Sequence, residues 1–110
     1  MRVTNHTYMQ KTPTYDLEEI KELLQDEDTR IVSRDDLVLA AKLGYPDEDA
    51  IVNRVLKVKR SEFHKSMPSK KLAKVWQDVY YTKDGATRIY VKLQISFNGK
   101  GVVVSFKESL

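Results

Sequence analysis

A few lysine, tyrosine and glutamine residues in the C-terminal half have the chemical types needed to cleave RNA. Tyr90, Lys92 and Lys107 alternate along predicted strands, and Gln77 lies on the strand before them. In RNA the 2′-hydroxyl attacks its own phosphate when a base removes its proton, positive charge stabilises the phosphorane, and an acid protonates the leaving 5′-oxygen. These side chains could supply charge, proton transfer and orientation. The same residue types line ordinary solvated strands, so the spacing alone leaves both interpretations open.

Other catalytic signatures are missing from the sequence. It has no cysteine, no glycine-rich phosphate loop, no zinc-type histidine pair and no GxSxG elbow. The two histidines, His6 and His64, lie far apart, and acidic residues are scarce in the C-terminal half. We therefore expect no metal ion and no cofactor, and chemistry that depends on side chains alone.

Charge is distributed unevenly along the 110 residues. Residues 1–53 carry 6 Lys/Arg and 12 Asp/Glu, residues 54–110 carry 13 Lys/Arg and 4 Asp/Glu, and the whole chain has a net charge of +3. A basic surface attracts polyanions because each neutralised phosphate releases condensed counterions. The C-terminal half is thus a candidate for nucleic-acid binding, unless the two halves pack together and cancel or the lysines serve only solubility.

The acidic half has the pattern of short amphipathic helices. Three are predicted, over residues 14–28, 33–44 and 46–56, each with a capping residue at its start and apolar residues at helical spacing. A short fourth turn is predicted over residues 62–66, before a proline. Residues 1–12 show no periodicity and are expected to form a flexible arm.

The basic half has the pattern of a three-stranded antiparallel meander over residues 75–81, 88–97 and 102–107. In the second strand every other residue from Ile89 to Phe97 is apolar and should face the core. Asn98-Gly99 is a strong hairpin signal. In the third strand Val102, Val104 and Phe106 are expected to point inward, and Val103, Ser105 and Lys107 outward.

Two residues of the first strand are expected to point toward the core with the apolar ones. Trp76 should belong to the core, and Asp78 should lie beside it, bonded to backbone amides or at the end of the sheet. The amphipathic helices must cover the core face of the sheet, which predicts one α+β domain over residues 1–110.

Four ordered motifs resemble the MqsR family of toxins, the messenger-RNA interferases of type II toxin–antitoxin systems. They are SEFHKSM at residues 61–67, WQDVY at 76–80, YVK at 90–92 and VSFKE at 104–108. The resemblance covers roughly residues 50–110, and the helical half matches only in pattern. It implies a RelE-like toxin fold, a curved antiparallel sheet with helices packed on one face.

The resemblance also implies an activity and the residues responsible for it. The activity is that of a sequence-specific, ribosome-independent and metal-independent endoribonuclease toxin that cleaves single-stranded mRNA at short GC-containing sites. By motif, the implicated catalytic residues are Lys65, Gln77, Tyr90 and Lys107. The lysines would hold the phosphate and Gln77 would orient it. Tyr90 would transfer a proton, provided that a neighbouring lysine lowers its ordinary pKa of about 10.

Further residues are expected to assist. His64 stands where the family commonly has tyrosine, and it could act as a base, stack on a nucleobase or remain in solvent. Lys92 is a second auxiliary candidate. Lys70, Lys71 and Lys74 fill the loop between two motifs and are expected to steer RNA, although such a loop can also be merely solvated.

The implied partners are single-stranded mRNA and a cognate antitoxin, an MqsA-like protein that carries zinc and binds DNA. The sequence has no secretory signal at its start and no apolar run of membrane-spanning length, so we expect a cytoplasmic location and no membrane association. Two alternatives stay open: a non-catalytic RNA- or DNA-binding module, and a degenerate toxin that acts by interaction only.

Overall fold

The computed structural model describes residues 9–72 and 74–110. This part of the chain contains three short α-helices and five β-strands. The helices are α1 (Leu17–Leu24), α2 (Arg34–Lys42) and α3 (Glu48–Val55). The strands are β1 (Arg30–Val32), β2 (Phe63–Pro68), β3 (Trp76–Asp84), β4 (Thr87–Ile95) and β5 (Gly101–Glu108). The predicted α+β class is confirmed.

The helices begin within three residues of their predicted starts, and α1 ends at Leu24, four residues before its predicted end. The side chain of Asp16 accepts a hydrogen bond from the amide of Glu18 at the start of α1, and Asp47 does the same for Ala50 at the start of α3. Ser33 precedes α2 without a side-chain cap bond. None of the described helices combines the length and the apolar character needed to cross a membrane.

The five strands form one mixed sheet in the order β1-β5-β4-β3-β2. The predicted antiparallel meander of β3, β4 and β5 is confirmed at its centre. The expectation of a purely antiparallel sheet is wrong, because β1 pairs with β5 in parallel. β1 is only three residues long and follows directly on the 3₁₀ turn at Glu27–Thr29. A segment this short shows no periodicity from which a strand could be predicted.

The predicted helical turn over residues 62–66 is wrong. A 3₁₀ turn covers only Arg60–Glu62, and the chain then continues as β2, antiparallel to β3. On its other side Ser66 exchanges backbone hydrogen bonds of 2.8 Å with Gln10 in both directions. Pairing on both sides satisfies backbone groups that a single helical turn would leave free.

The N-terminal segment is attached to the sheet through Asp78. This carboxylate is fully buried and accepts hydrogen bonds from the backbone amides of Thr14 and Tyr15, as predicted for its inward position. Of the predicted arm, residues 1–8, which include His6, lie outside the described residues. Trp76, predicted to be core, is only half-buried because it is the first residue of β3.

The core lies between the helices and one face of the sheet. Its fully buried side chains come from both layers and include Ile20, Ile51, Ile89, Leu93 and Phe106. The alternation predicted for β4 therefore holds over most of the strand. It fails at Phe97, which is 88% exposed because β4 ends at Ile95 and Phe97 falls in the following turn.

A β-bulge interrupts the pairing of β4 with β5. Lys92 pairs with Ser105, but the next residue, Leu93, pairs with Val103, so Val104 is an extra residue in β5. A bulge of this kind reverses which side chains point to each face on one side of the insertion.

Because of the bulge, the orientations predicted for Val102, Val103 and Val104 in β5 are wrong. Val103, expected outward, is fully buried in the core, whereas Val102 and Val104, expected inward, are half-buried and line a cavity on the other face. Beyond the bulge the prediction holds, because Phe106 is fully buried and Lys107 is exposed.

Replacing Gly101 by alanine should destabilise the fold, since β5 approaches α1 closely at this residue. A Cβ placed there would lie 2.9 Å from Leu23 Cβ and 3.3 Å from the Ile20 carbonyl oxygen. We expect Gly101→Ala to lower the free energy of unfolding by about 1–3 kcal/mol. Urea denaturation measures this, with Lys100→Ala as the neighbouring control. Equal stability of the two variants would show that α1 yields at no cost.

Candidate active site

Strand pairing places all four predicted catalytic residues on one face of the sheet, opposite the helical core. We call it the lysine face and define it by Lys65, Gln77, Tyr90 and Lys107. The side chains of directly paired residues point to the same face of a sheet, and so do the side chains of alternate residues along one strand. On this basis the lysine face consists of three rows of side chains that run across the strands.

The first row contains Tyr81, Tyr90 and Lys107, which are paired in that order. The Tyr90 ring centroid lies 5.7 Å from that of Tyr81 and 5.3 Å from the Lys107 ammonium nitrogen. His64 extends the row, with its ring 4.9 Å from that of Tyr81. Arg88, which pairs with Lys83 in the adjacent row, places its guanidinium 4.1 Å from the Tyr81 ring centroid. The row is therefore a continuous strip of rings and cations.

The pKa of Tyr90 is not lowered, as its expected role in proton transfer required. It is half-buried, and burial, followed by the neighbouring Tyr81, raises its pKa above the ordinary value. The expectation that a nearby lysine lowers this pKa is wrong. Tyr90 thus keeps its proton at neutral pH and is suited to donate a hydrogen bond or a proton.

The second row contains Lys65, Val79, Lys92 and Ser105. Lys92 is half-buried, and its pKa is lowered, chiefly by burial and then by the like charges of other lysines nearby. Those lysines are Lys107, Lys70 and Lys65. Lys92 therefore gives up its proton more readily than an ordinary lysine.

The third row holds Gln77 in a fixed orientation. Gln77 is buried, and its Nε2 donates a 2.8 Å hydrogen bond to Oε1 of Gln94, which is buried beside it. Gln94 was not singled out in the sequence. The strand alternation places it on the outward face with Lys92, and its pairing with Gln77 follows only from the register between β3 and β4.

A cavity of about 450 Å³ adjoins the second and third rows. Its lining includes Gln77, Lys92 and Gln94 from the sheet, together with Lys70 and Lys71 from the loop after β2. The third loop residue expected to steer RNA, Lys74, is exposed but does not line this cavity.

Asp36 also lines the cavity and was missed in the sequence. It lies in the first turn of α2, where an acidic residue is expected simply because it favours the helix dipole. In the structure it is only 5% exposed, and burial raises its pKa, against the opposing effects of the Phe106 backbone amide and Lys107. No sequence pattern distinguishes it from its exposed neighbour Asp35.

Within residues 9–72 and 74–110, no three or more histidine or carboxylate side chains stand together in a way that could hold an ion. What the lysine face offers is a set of cations around one tyrosine and one glutamine, an arrangement suited to a phosphodiester.

Comparison with known proteins agrees with these observations. Residues 12–108 match the model of a protein family described as motility quorum-sensing regulator, toxin of MqsA. The chain belongs to the MqsR toxin family. It is 32% identical over 98 residues to the mRNA interferase toxin MqsR of Escherichia coli (strain K12), covering 89% of this chain and 96% of that protein. The family resemblance predicted from residues 50–110 is confirmed, and the MqsR match extends to the helical half.

Lys92→Met should stabilise the protein, since the wild-type lysine is held charged in a half-buried, cationic environment. Its folded-state pKa lies below the unfolded value, so at neutral pH the charged lysine opposes folding. That opposition disappears as pH rises through the folded pKa toward the ordinary 10.5. We expect a higher melting temperature at neutral pH and a smaller gain in alkaline buffer.

Thermal unfolding across pH measures this difference. Lys57→Met, at an exposed position, is the matched control and should change little. A melting temperature for Lys92→Met equal to that of wild type at every pH would contradict the environment described for Lys92.

Proposed function

We propose that this chain is an endoribonuclease toxin that cleaves single-stranded mRNA on its lysine face, without a metal ion and without the ribosome. The observation that carries the proposal is the convergence of Lys65, Gln77, Tyr90 and Lys107 around Lys92 in a chain of the MqsR family. The E. coli relative is named an mRNA interferase. Cleavage near short GC-containing sequences and a RelE-like fold are part of the proposal, and both rest on the family resemblance.

Lys65 and Lys107 hold and neutralise the scissile phosphate in this scheme. They lie at opposite sides of the lysine face, on β2 and β5, with Lys92 and Tyr90 between them on β4. Fixed positive charge at this place stabilises the charge that develops on the phosphorane. Gln77, fixed by Gln94, orients the phosphate or the 2′-hydroxyl.

Proton transfer is divided between Lys92 and Tyr90. The neutral amine of Lys92 takes the proton of the 2′-hydroxyl as the 2′-oxygen bonds to phosphorus. The bond from phosphorus to the 5′-oxygen breaks, and Tyr90 protonates that oxygen. The products are a 2′,3′-cyclic phosphate and a 5′-hydroxyl. This division follows the opposite pKa shifts of the two groups, lowered for Lys92 and raised for Tyr90.

The strip formed by His64, Tyr81 and Arg88 would guide the RNA strand. Rings and a guanidinium plane are the surfaces on which unpaired bases stack. Lys70, Lys71 and Lys74 would attract the backbone toward the cavity. In this arrangement His64 stacks on a base, since it contacts Tyr81 at the end of its row rather than the lysines at the centre.

The cellular setting is also proposed from the family. The family description names MqsA as the partner of the toxin. We propose that a cognate MqsA-like antitoxin, carrying zinc and binding DNA, neutralises this chain in the cytoplasm. The second candidate function is RNA binding without cleavage, which the cationic lysine face would also allow.

A cleavage assay on single-stranded RNA in the presence of EDTA tests the enzyme directly. We expect cutting at recurrent sites with cyclic-phosphate ends. Lys107→Ala and Tyr90→Phe should each lower the rate by about 10²-fold or more, because one removes charge from the phosphate and the other removes the acid. Lys57→Ala, an exposed lysine away from this face, should retain the rate. Binding without cutting by the wild type would leave only the second candidate.

The pH dependence of cleavage tests the role of Lys92. The wild-type rate should rise with pH as Lys92 loses its proton, and this rise should begin below the ordinary lysine pKa because the folded value is lowered. Lys92→Arg keeps the positive charge but stays protonated. We expect it to lose the rising limb and about 10²-fold in rate. A rate and pH profile like those of the wild type would assign the base to another group.

A further inference from the structure

The cavity beside the lysine face has the size and walls of a small-ligand site. Its volume of about 450 Å³ lies in the range of roughly 300–1,000 Å³ typical of pockets for small molecules. Apolar side chains form one part of the wall, namely Ile31 from β1, Met67 from β2, and Val102 and Val104 from β5. The valines face this cavity because of the bulge at Val104. Such a wall favours a flat, partly apolar group.

One carboxylate oxygen of Asp36 has no partner within the described fold. This oxygen, Oδ2, is buried. Asp36 interacts electrostatically with Lys92 and Lys107. None of the ion pairs among the described residues includes Asp36, however. Leaving a carboxylate oxygen buried and unpaired costs free energy, which points to a ligand that completes it.

Gln77 and Gln94 supply further hydrogen-bonding groups on the sheet side of the cavity. Their mutual bond uses one amide hydrogen of Gln77 and the carbonyl oxygen of Gln94. The Gln94 amide keeps both of its donors, and the Gln77 carbonyl remains an acceptor. The cavity therefore offers a carboxylate acceptor and an amide donor beside an apolar wall. Gln77 and Lys92 belong to both the cavity and the lysine face, so its ligand lies next to the phosphate.

We propose that this cavity binds one nucleobase of the RNA beside the cleaved phosphate, and that Asp36 selects a base carrying an exocyclic amino group. The inference rests on the proposed ribonuclease function and assigns its base-reading site. Adenine, guanine and cytosine each carry such an amino group on their pairing edge, which donates to Asp36 Oδ2. Uracil instead places two carbonyl oxygens beside its only N–H, and these oxygens are repelled by the carboxylate.

The test compares cleavage by the wild type, Asp36→Asn and Asp28→Asn on RNA with randomised positions, read by sequencing the cut ends. Asparagine is nearly isosteric with aspartate and supplies an amide donor for a uracil oxygen. The wild type should disfavour uracil about tenfold at one position next to the cut, the effect of one hydrogen bond to a charged group. Asp36→Asn should lose this bias or reverse it. Asp28→Asn removes the same charge at an exposed position outside the cavity lining and should keep the bias.

A change in rate alone does not support the inference. If Asp36→Asn cuts all sites more slowly by one factor and keeps the wild-type base ratios, Asp36 acts only on the lysines and base selection by this cavity is overturned. A wild type without a bias against uracil next to the cut also overturns it.

A binding measurement separates this inference from the ribonuclease proposal. Short 2′-O-methyl oligonucleotides cannot be cut, because the attacking hydroxyl is blocked. Fluorescence anisotropy should show weaker binding of an oligouridine than of an oligoadenosine or oligocytidine to the wild type, and a reduced difference for Asp36→Asn. This result supports the base site even if the wild type fails to cut RNA. Equal affinities for the three oligonucleotides overturn it even if cleavage is found.

Discussion

The antiparallel register of β3, β4 and β5 is the constraint on which the candidate site depends. The candidate residues come from four strands, and hydrogen bonding between the strands brings Lys65, Gln77 and Lys107 together with Tyr90 and Lys92 of β4. A slip of one residue in any pairing would turn an entire set of side chains to the core. The fully buried Val91, Leu93 and Phe106 oppose such a slip, so the apolar core also fixes the positions of the polar face.

The lysine face illustrates a conflict between stability and chemistry. Several ammonium groups lie close together around a half-buried lysine and tyrosine, and none of them forms an ion pair with any of the residues that the structure describes. An isolated protein gains nothing from this arrangement, because like charges and burial both oppose the ionised lysine. A polyanion reverses the balance, since a phosphate supplies the missing negative charge. Unfavourable electrostatics in the free protein are thus what the proposed substrate site would show before RNA binds.

Sequence patterns predicted the parts of this structure that local rules govern. Capping residues and helical spacing located α1, α2 and α3, and strand alternation located the central meander. The same alternation predicted that Asp78 points inward and binds backbone amides. Pairing between distant segments governs what was missed. β2 forms because β3 and Gln10 lie on its two sides. Asp36 and Gln94 join the site only through tertiary placement. The motifs identified the family and predicted four site residues, which stay a prediction, but no motif indicates that three other lysines lie near Lys92.

Val104 is a single extra residue in β5, and the alternation of inward and outward side chains shifts by one residue across it. Before it, Val103 faces the core; after it, Phe106 does, although an uninterrupted strand would place these two residues on opposite faces. Removing Val104 itself would restore regular pairing, because Val103 and Ser105 already pair with the adjacent residues Leu93 and Lys92. Phe106 would still face the core and Lys107 the lysine face, and the cavity wall would lose one side chain. When chains of this family are aligned, a one-residue gap at this position is therefore compatible with an intact lysine face.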